Sequence, residues 1–219
     1  MNVPDLFSLF QEKLTQNLKK PLPGETAHMM MEAFTASYLG VRPTEQTRKS
    51  AVLLLLYPFN DEIYIPLILR NSYEGFHSGE VGFPGGRYEQ TDQDLVQTAL
   101  REANEEIGLR PEDVKILGTL SEIYIGPSDF LVLPVVGYIP YRPELVPDPR
   151  EVQQILEAKL AYFIDPTIIG CAKIRIPGDV VLTPYYEIHG HKAWGATAKM
   201  IRELLTVIRN DLPCIEKMP

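Results

Sequence analysis

The stretch Gly85-Gly86-Arg87-Tyr88-Glu89-Gln90-Thr91-Asp92-Gln93-Asp94-Leu95-Val96-Gln97-Thr98-Ala99-Leu100-Arg101-Glu102-Ala103-Asn104-Glu105-Glu106-Ile107-Gly108-Leu109 decides how the rest of the chain is read. Its glycine pair permits a tight backbone loop. The pattern that follows predicts a helix from about Thr91 to Ile107, ended by Gly108, with Pro111 barring continuation. Residues three and four apart share a helix face, so Glu102, Glu105 and Glu106 converge on one patch. Ala99, Leu100, Ala103 and Ile107 are expected on the other side, holding the helix against a sheet. Crowded carboxylates repel unless a cation compensates. Hard cations such as Mg²⁺ and Mn²⁺ favour carboxylate oxygen and water, and Mg²⁺ commonly sits between protein carboxylates and substrate phosphates. A solvated acidic stripe is the plainer account of three glutamates alone. The adjoining glycines favour the chemical account, because they leave peptide carbonyls and amides free to meet metal or phosphate.

Working outward, Ser50 to Tyr57 and Glu62 to Arg70 read as two strands of a hairpin turning at Phe59-Asn60-Asp61. A glycine-studded stretch, Gly75 to Gly86, leads into the helix. Val114 to Ile125 and Phe130 to Tyr138 read as strands about the turn Gly126-Pro127-Ser128-Asp129, and Pro140 to Pro149 as a loop. Glu151 to Leu160 fits a short helix or a strand approach, Val180 to Ile188 a hairpin arm, and Thr197 to Arg209 a closing helix. Before the hairpin, Leu6, Phe7, Leu9, Phe10, Leu14 and Leu18 give an amphipathic helix over Pro4 to Leu18, stopped by Pro21 and Pro23. A second helix is expected over His28 to Leu39. Intermixed strands and helices place the chain in the mixed α/β class, with helices packed on a sheet.

With 219 residues, 45% of them hydrophobic, the chain can bury a substantial core. Its 29 acidic residues outweigh 21 basic ones for a net charge of -8. Without clustered Lys and Arg, a nucleic-acid partner is not expected. An acidic enzyme acting on an anion must acquire local positive charge, and a divalent metal supplies it. Cys171 and Cys214 lie far apart, which excludes a CxxC site and points to a reducing compartment. The opening MNVPDLFSLF lacks the form of a signal peptide, and the apolar run Ala51 to Phe59 is too short to span a bilayer. The expectation is a cytoplasmic protein with no membrane partner.

The segment resembles a Nudix box, G-x5-E-x7-R-E-U-x-E-E-x-G-U with U aliphatic. Arg101 to Leu109 matches its second half throughout. In the first half, Asp92 stands where Glu is usual, and eight residues rather than seven separate it from Arg101. Upstream, Arg70, His77, Gly79, Val81 and Phe83-Pro84-Gly85-Gly86 are similar to R-S-x5-H-x-G-Q-V-x-F-P-G-G of the coenzyme A pyrophosphatase branch. Asn71 replaces the usual Ser and Glu80 the usual Gln. Asp148-Pro149-Arg150-Glu151-Val152 resembles that branch's N-P-x-E-V segment, and Trp194-Gly195-Ala196-Thr197-Ala198 its W-G-x-T-A. The resemblance runs from about Ser50 to Leu205.

The resemblance implies an α/β/α sandwich with a mixed sheet. It divides the chain into an N-terminal helical extension (1–45), a Nudix domain (46–210) and a tail (211–219). It implies a Mg²⁺- or Mn²⁺-dependent hydrolase that cleaves coenzyme A or acyl-CoA to 3′,5′-ADP and 4′-phosphopantetheine. ADP-ribose, NADH or a nucleoside triphosphate is the alternative substrate, and a non-cleaving nucleotide sensor the alternative class. Glu102 and Glu106 are the expected metal ligands, joined by Glu105 and the Gly86 carbonyl. Glu102, Glu122 and Glu151 are the candidates to activate water, and Arg101 is the expected brace. Arg70, His77, Gly85 and Gly86 are the expected substrate contacts. Trp194 is expected to pack the closing helix against the sheet. His189 and His191 are expected on one strand face, without a zinc site. The N-terminal helix and the Met29-Met30-Met31 cluster make a homodimer plausible.

Overall fold

A computed structural model describes residues 3–33, 42–72, 79–176 and 179–209. Strands β1 (Arg48–Phe59) and β2 (Glu62–Arg70) form an antiparallel hairpin. Its two-residue turn places Asn60 and Asp61 at φ 49° and 61°, a conformation in which Asn and Asp are favoured after Gly. The sheet runs β3 (Val81–Gly82), β2, β1, β7 (Phe130–Tyr138), β5 (Lys115–Thr119). Three strands attach off this path: β4 (Gly85–Arg87) to β1, β6 (Ile123–Ile125) to β7, and β8 (Val152–Lys159) to β2. Only the β1–β7 pair is parallel, so the sheet is mixed.

The long apolar run of β1 has a simple cause, burial on both faces. Ala51, Leu53, Leu55 and Tyr57 face helix α3 (Leu95–Ile107) and pack with Ala99, Ala103 and Ile107. Leu54 and Leu56 face the opposite core, shared with Phe7, Phe10 and Leu14 of α1 (Val3–Asn17) and with Ile201, Leu204 and Leu205 of α4 (Gly195–Arg209). The result is an α/β/α sandwich, as the resemblance implies. A three-stranded sheet, β9 (Ile169–Ile176), β10 (Asp179–Ile188) and β11 (His191–Trp194), precedes α4.

Several expectations need correction. Within the described part of the expected second helix, His28 closes α2 (Glu25–His28) and Met29–Met31 form a 3₁₀ turn, while Phe34 to Leu39 lie outside the described residues. The box helix starts at Leu95, not near Thr91, because the Asp94 side chain accepts the Gln97 N–H and caps it. Val114 to Ile125 is two strands, β5 and β6, while of the two readings of Glu151 to Leu160 the strand is the one found, as β8. His189 sits in the β10–β11 turn at φ 50°, so it does not share a strand face with His191. Trp194 is half-buried at the end of β11, opposite Tyr185.

The α2 segment is tied down by a buried polar cluster. Glu203 of α4 is fully buried and accepts from the Ser121 hydroxyl at 2.7 Å, while its other oxygen lies 2.8 Å from His28 Nε2. The Gly24 and Ser121 N–H groups also donate to it, so no lone buried charge remains.

Candidate active site

The glycine pair threads β4 beside β1 and brings the loop against α3. Gly85 has no room for a side chain, since a Cβ there would lie 2.3 Å from the Ala51 carbonyl oxygen. At Gly86 a Cβ would lie 2.4 Å from the Glu102 carboxylate, so the missing side chain is what lets the loop and the acidic ridge meet.

Arg101 organises one half of the ridge. Its Nε and one Nη grip both oxygens of Asp92 at 2.9 and 3.1 Å. The other Nη donates to Glu102 and Glu105, each at 3.0 Å, and the Arg87 carbonyl accepts a further bond at 3.0 Å. A guanidinium has five N–H donors, and these contacts occupy them, so Arg101 is a brace. Asp92 is 4% exposed and also accepts from Thr98 Oγ1 and the Glu89 N–H. The Arg101 bonds are the main cause of its carboxyl being held down to about 2, against a smaller upward push from burial. The residue that departs from the usual box therefore anchors it.

Glu106 organises the other half. It is 1% exposed, with Oε1 accepting from Arg70 at 3.0 Å and Oε2 from the Gly85 N–H at 2.8 Å. Burial pushes its carboxyl up to about 7, opposed by Arg70 and the Gly85 N–H and reinforced by Glu102 and Glu151. Burial likewise raises Glu102, with Arg101 pulling the other way and Glu105 and Glu151 adding to the rise. Glu106 is thus not on the face opposite the apolar residues. It lies seven residues from Ala99 and three from Ala103, within the buried stripe that also holds Ile107. Leu100, expected in that stripe, is only partly buried.

The turn bearing Glu151 is docked on the end of α3. Val146 N–H donates to the Ile107 carbonyl and Asp148 N–H to the Glu106 carbonyl, both at 2.9 Å. These bonds satisfy last-turn carbonyls that a helix leaves unpaired. The Glu151 N–H donates to the Asp148 carbonyl at 3.1 Å, and the Glu151 side chain lies close enough to influence Glu102 and Glu106 electrostatically. Glu122 is exposed before β6, and no described interaction joins it to these carboxylates. His77 lies outside the described residues. Arg70, expected at the substrate, turns both Nη groups to Glu106 and the Gly85 carbonyl. The anchoring role of Asp92 and the α3-capping loop escape the sequence reading. A signal for Asp92 existed, an acidic residue at the usual place in a box with an intact arginine.

Among the described residues, no three acidic, imidazole or thiolate groups stand preassembled as metal ligands. Glu102 and Glu105 are turned onto Arg101, and Glu106 onto Arg70 and Gly85. The donor chemistry nevertheless fits a hard divalent cation. Burial and neighbouring carboxylates push the carboxyls of Glu102 and Glu106 upward, a push that a cation would oppose, and each carboxylate oxygen bonded once keeps a lone pair.

Comparison with known proteins gives the family. The NUDIX domain family matches residues 47–161, and the chain belongs to that family. It is 38% identical to the uncharacterised Nudix hydrolase NudL of Pectobacterium atrosepticum, over 79% of this chain and 88% of that one. It is 34% identical to the human mitochondrial coenzyme A diphosphatase NUDT8, over 80% of this chain and 74% of that one. A MutT/nudix family protein from Enterococcus faecalis shares the fold with a TM-score of 0.51 at 13% identity, covering 94% of this chain and 74% of that structure. Some other curated relatives are longer, and the chain spans 51 to 63% of the length of three of them.

Proposed function

We propose that the chain hydrolyses the pyrophosphate bond of a nucleoside diphosphate derivative with a bound Mg²⁺ or Mn²⁺, and that coenzyme A or acyl-CoA is its preferred substrate. The observation that carries this is the gathering of Glu102, Glu106 and Glu151, with Glu105 beside them on Arg101, at the Gly85-Gly86 loop. Support for the substrate comes from the branch-like segments around the box and from the relatives named coenzyme A diphosphatases in human and mouse.

When bound, the cation supplies positive charge to the phosphate oxygens. Glu102, Glu105 and Glu106 would hold it, with the Gly86 carbonyl as a further donor. Arg101 and Arg70 keep these carboxylates in place. Glu151 takes the proton from the attacking water as its oxygen bonds to phosphorus and the bridging P–O bond breaks. Glu151 is favoured over Glu122 because its turn is hydrogen-bonded to α3. The products are 3′,5′-ADP and 4′-phosphopantetheine, with the water proton released to solvent.

The test is a panel of coenzyme A, acetyl-CoA, ADP-ribose, NADH and nucleoside triphosphates, with Mn²⁺ or EDTA and products identified by mass spectrometry. Coenzyme A is expected to give both named products only with metal. Intact coenzyme A beside cleaved ADP-ribose or NADH would refute the substrate assignment. Glu106→Gln is expected to lower turnover by about two orders of magnitude or more, in line with loss of a metal-holding group.

A further inference from the structure

Arg70 closes a small ring with the box. One Nη donates to Glu106 Oε1 at 3.0 Å and the other to the Gly85 carbonyl at 2.9 Å, while the Gly85 N–H donates to Glu106 Oε2 at 2.8 Å. Both oxygens of Glu106 and both polar groups of the Gly85 residue are therefore fixed relative to one another. The guanidinium charge is matched by the buried Glu106, and Nε lies against Gly82, where a Cβ would stand 3.9 Å away.

A break in strand pairing aims the side chain there. Along β2 and β8, Leu69 faces Gln154 but Arg70 faces Val152, so the register shifts at the last residue of β2. Such irregularities redirect a side chain from its regular sheet direction. Asn71 then reaches the other half of the site, its N–H donating to the Glu151 carbonyl at 3.0 Å and its Nδ2 to the Pro149 carbonyl at 2.9 Å. Two consecutive residues thus hold the box on one side and the Glu151 turn on the other.

We propose that Arg70 is a positioning residue that acts through Glu106 and Gly85, and that with Asn71 it fixes the separation of Glu106 from Glu151, instead of gripping the anionic substrate. The inference rests on the reading of these carboxylates as the hydrolytic machinery. A fork that orients two groups at once is not replaced by a point charge, so lysine restores only part of the function.

The experiment compares the full chain with Arg70→Gln, Arg70→Lys and Asn71→Ala by steady-state kinetics on the best substrate of the panel, and by calorimetric titration with Mn²⁺ alone. For Arg70→Gln the expected result is a kcat at least tenfold lower, KM within threefold, and Mn²⁺ affinity at least threefold weaker. Arg70→Lys is expected to fall between it and the unmodified chain, and it carries the test if Arg70→Gln does not fold. Asn71→Ala is expected to lower kcat with Mn²⁺ affinity kept. A tenfold rise in KM with kcat preserved, or Mn²⁺ affinity unchanged in both Arg70 variants, overturns the proposal. If the unmodified chain cleaves no diphosphate in the panel, the hydrolase reading fails, while the Mn²⁺ titration still judges the role of Arg70.

Discussion

Glu106 and Asp92 are both buried acids in the same box, and they titrate in opposite directions. Burial raises Glu106 from 4.5 to about 7, so the folded chain binds that proton more tightly than the unfolded chain. Its contribution to stability is complete below about pH 4.5 and is lost as pH rises through about 7, a change of about 3 kcal/mol. Denaturant unfolding in EDTA is expected to show this decline, and Glu106→Gln to flatten it. Asp92 is held down from 3.8 to about 2 by Arg101, so its contribution is present above 3.8 and lost as pH falls through about 2. Asp92→Ala removes two of the five Arg101 bonds and the buried acceptor of the Thr98 hydroxyl and the Glu89 N–H, and is expected to cost about 2 kcal/mol in the same assay. Gly86→Ala tests a different point. The atoms nearest the added Cβ belong to the end of the Glu102 side chain, which can turn away, so the chain is expected to keep its melting temperature within a few degrees while turnover falls at least tenfold. The acidic ridge was legible in the spacing of Glu102, Glu105 and Glu106. The burial of Glu106 was also legible, seven residues from Ala99, but a glutamate in an apolar stripe reads as solvated until its partners Arg70 and Gly85 are seen. Those partners are distant in sequence, and spacing carries no record of them.

The box helix owes its limits to local chemistry. Asp94 caps its start, and at its end Gly108 takes φ 66°, with its N–H reaching the Asn104 carbonyl. Gly108→Ala puts a side chain into that left-handed conformation and is expected to cost about 1 kcal/mol by thermal unfolding. The strands β1, β2 and β7 were readable as runs because both sheet faces are covered. β9 was not foreseen. It pairs only with β10, and its outward Cys171, Lys173 and Arg175 interrupt the apolar signal. The α3-capping loop was read only as proline-rich, since the bonds that matter are made by its backbone N–H groups, which every residue but proline carries.

Across the whole molecule, two cores on opposite faces of one sheet place the helix bearing the box on one side and the N-terminal and closing helices on the other. The His28, Glu203 and Ser121 cluster joins α2, α4 and the approach to β6. Its removal by Glu203→Ala is expected to lower stability by about 3 kcal/mol, read as a shifted denaturant midpoint. No described helix is long and apolar enough to cross a membrane. Whether the ridge beside the glycine loop receives divalent cations is read by anomalous diffraction at the manganese edge from Mn²⁺-soaked crystals. Manganese is expected within coordination distance of Glu102 and Glu106, with Glu102 or Glu105 swung away from Arg101. A soaked crystal with that ridge empty, or with manganese only at other carboxylates, contradicts it.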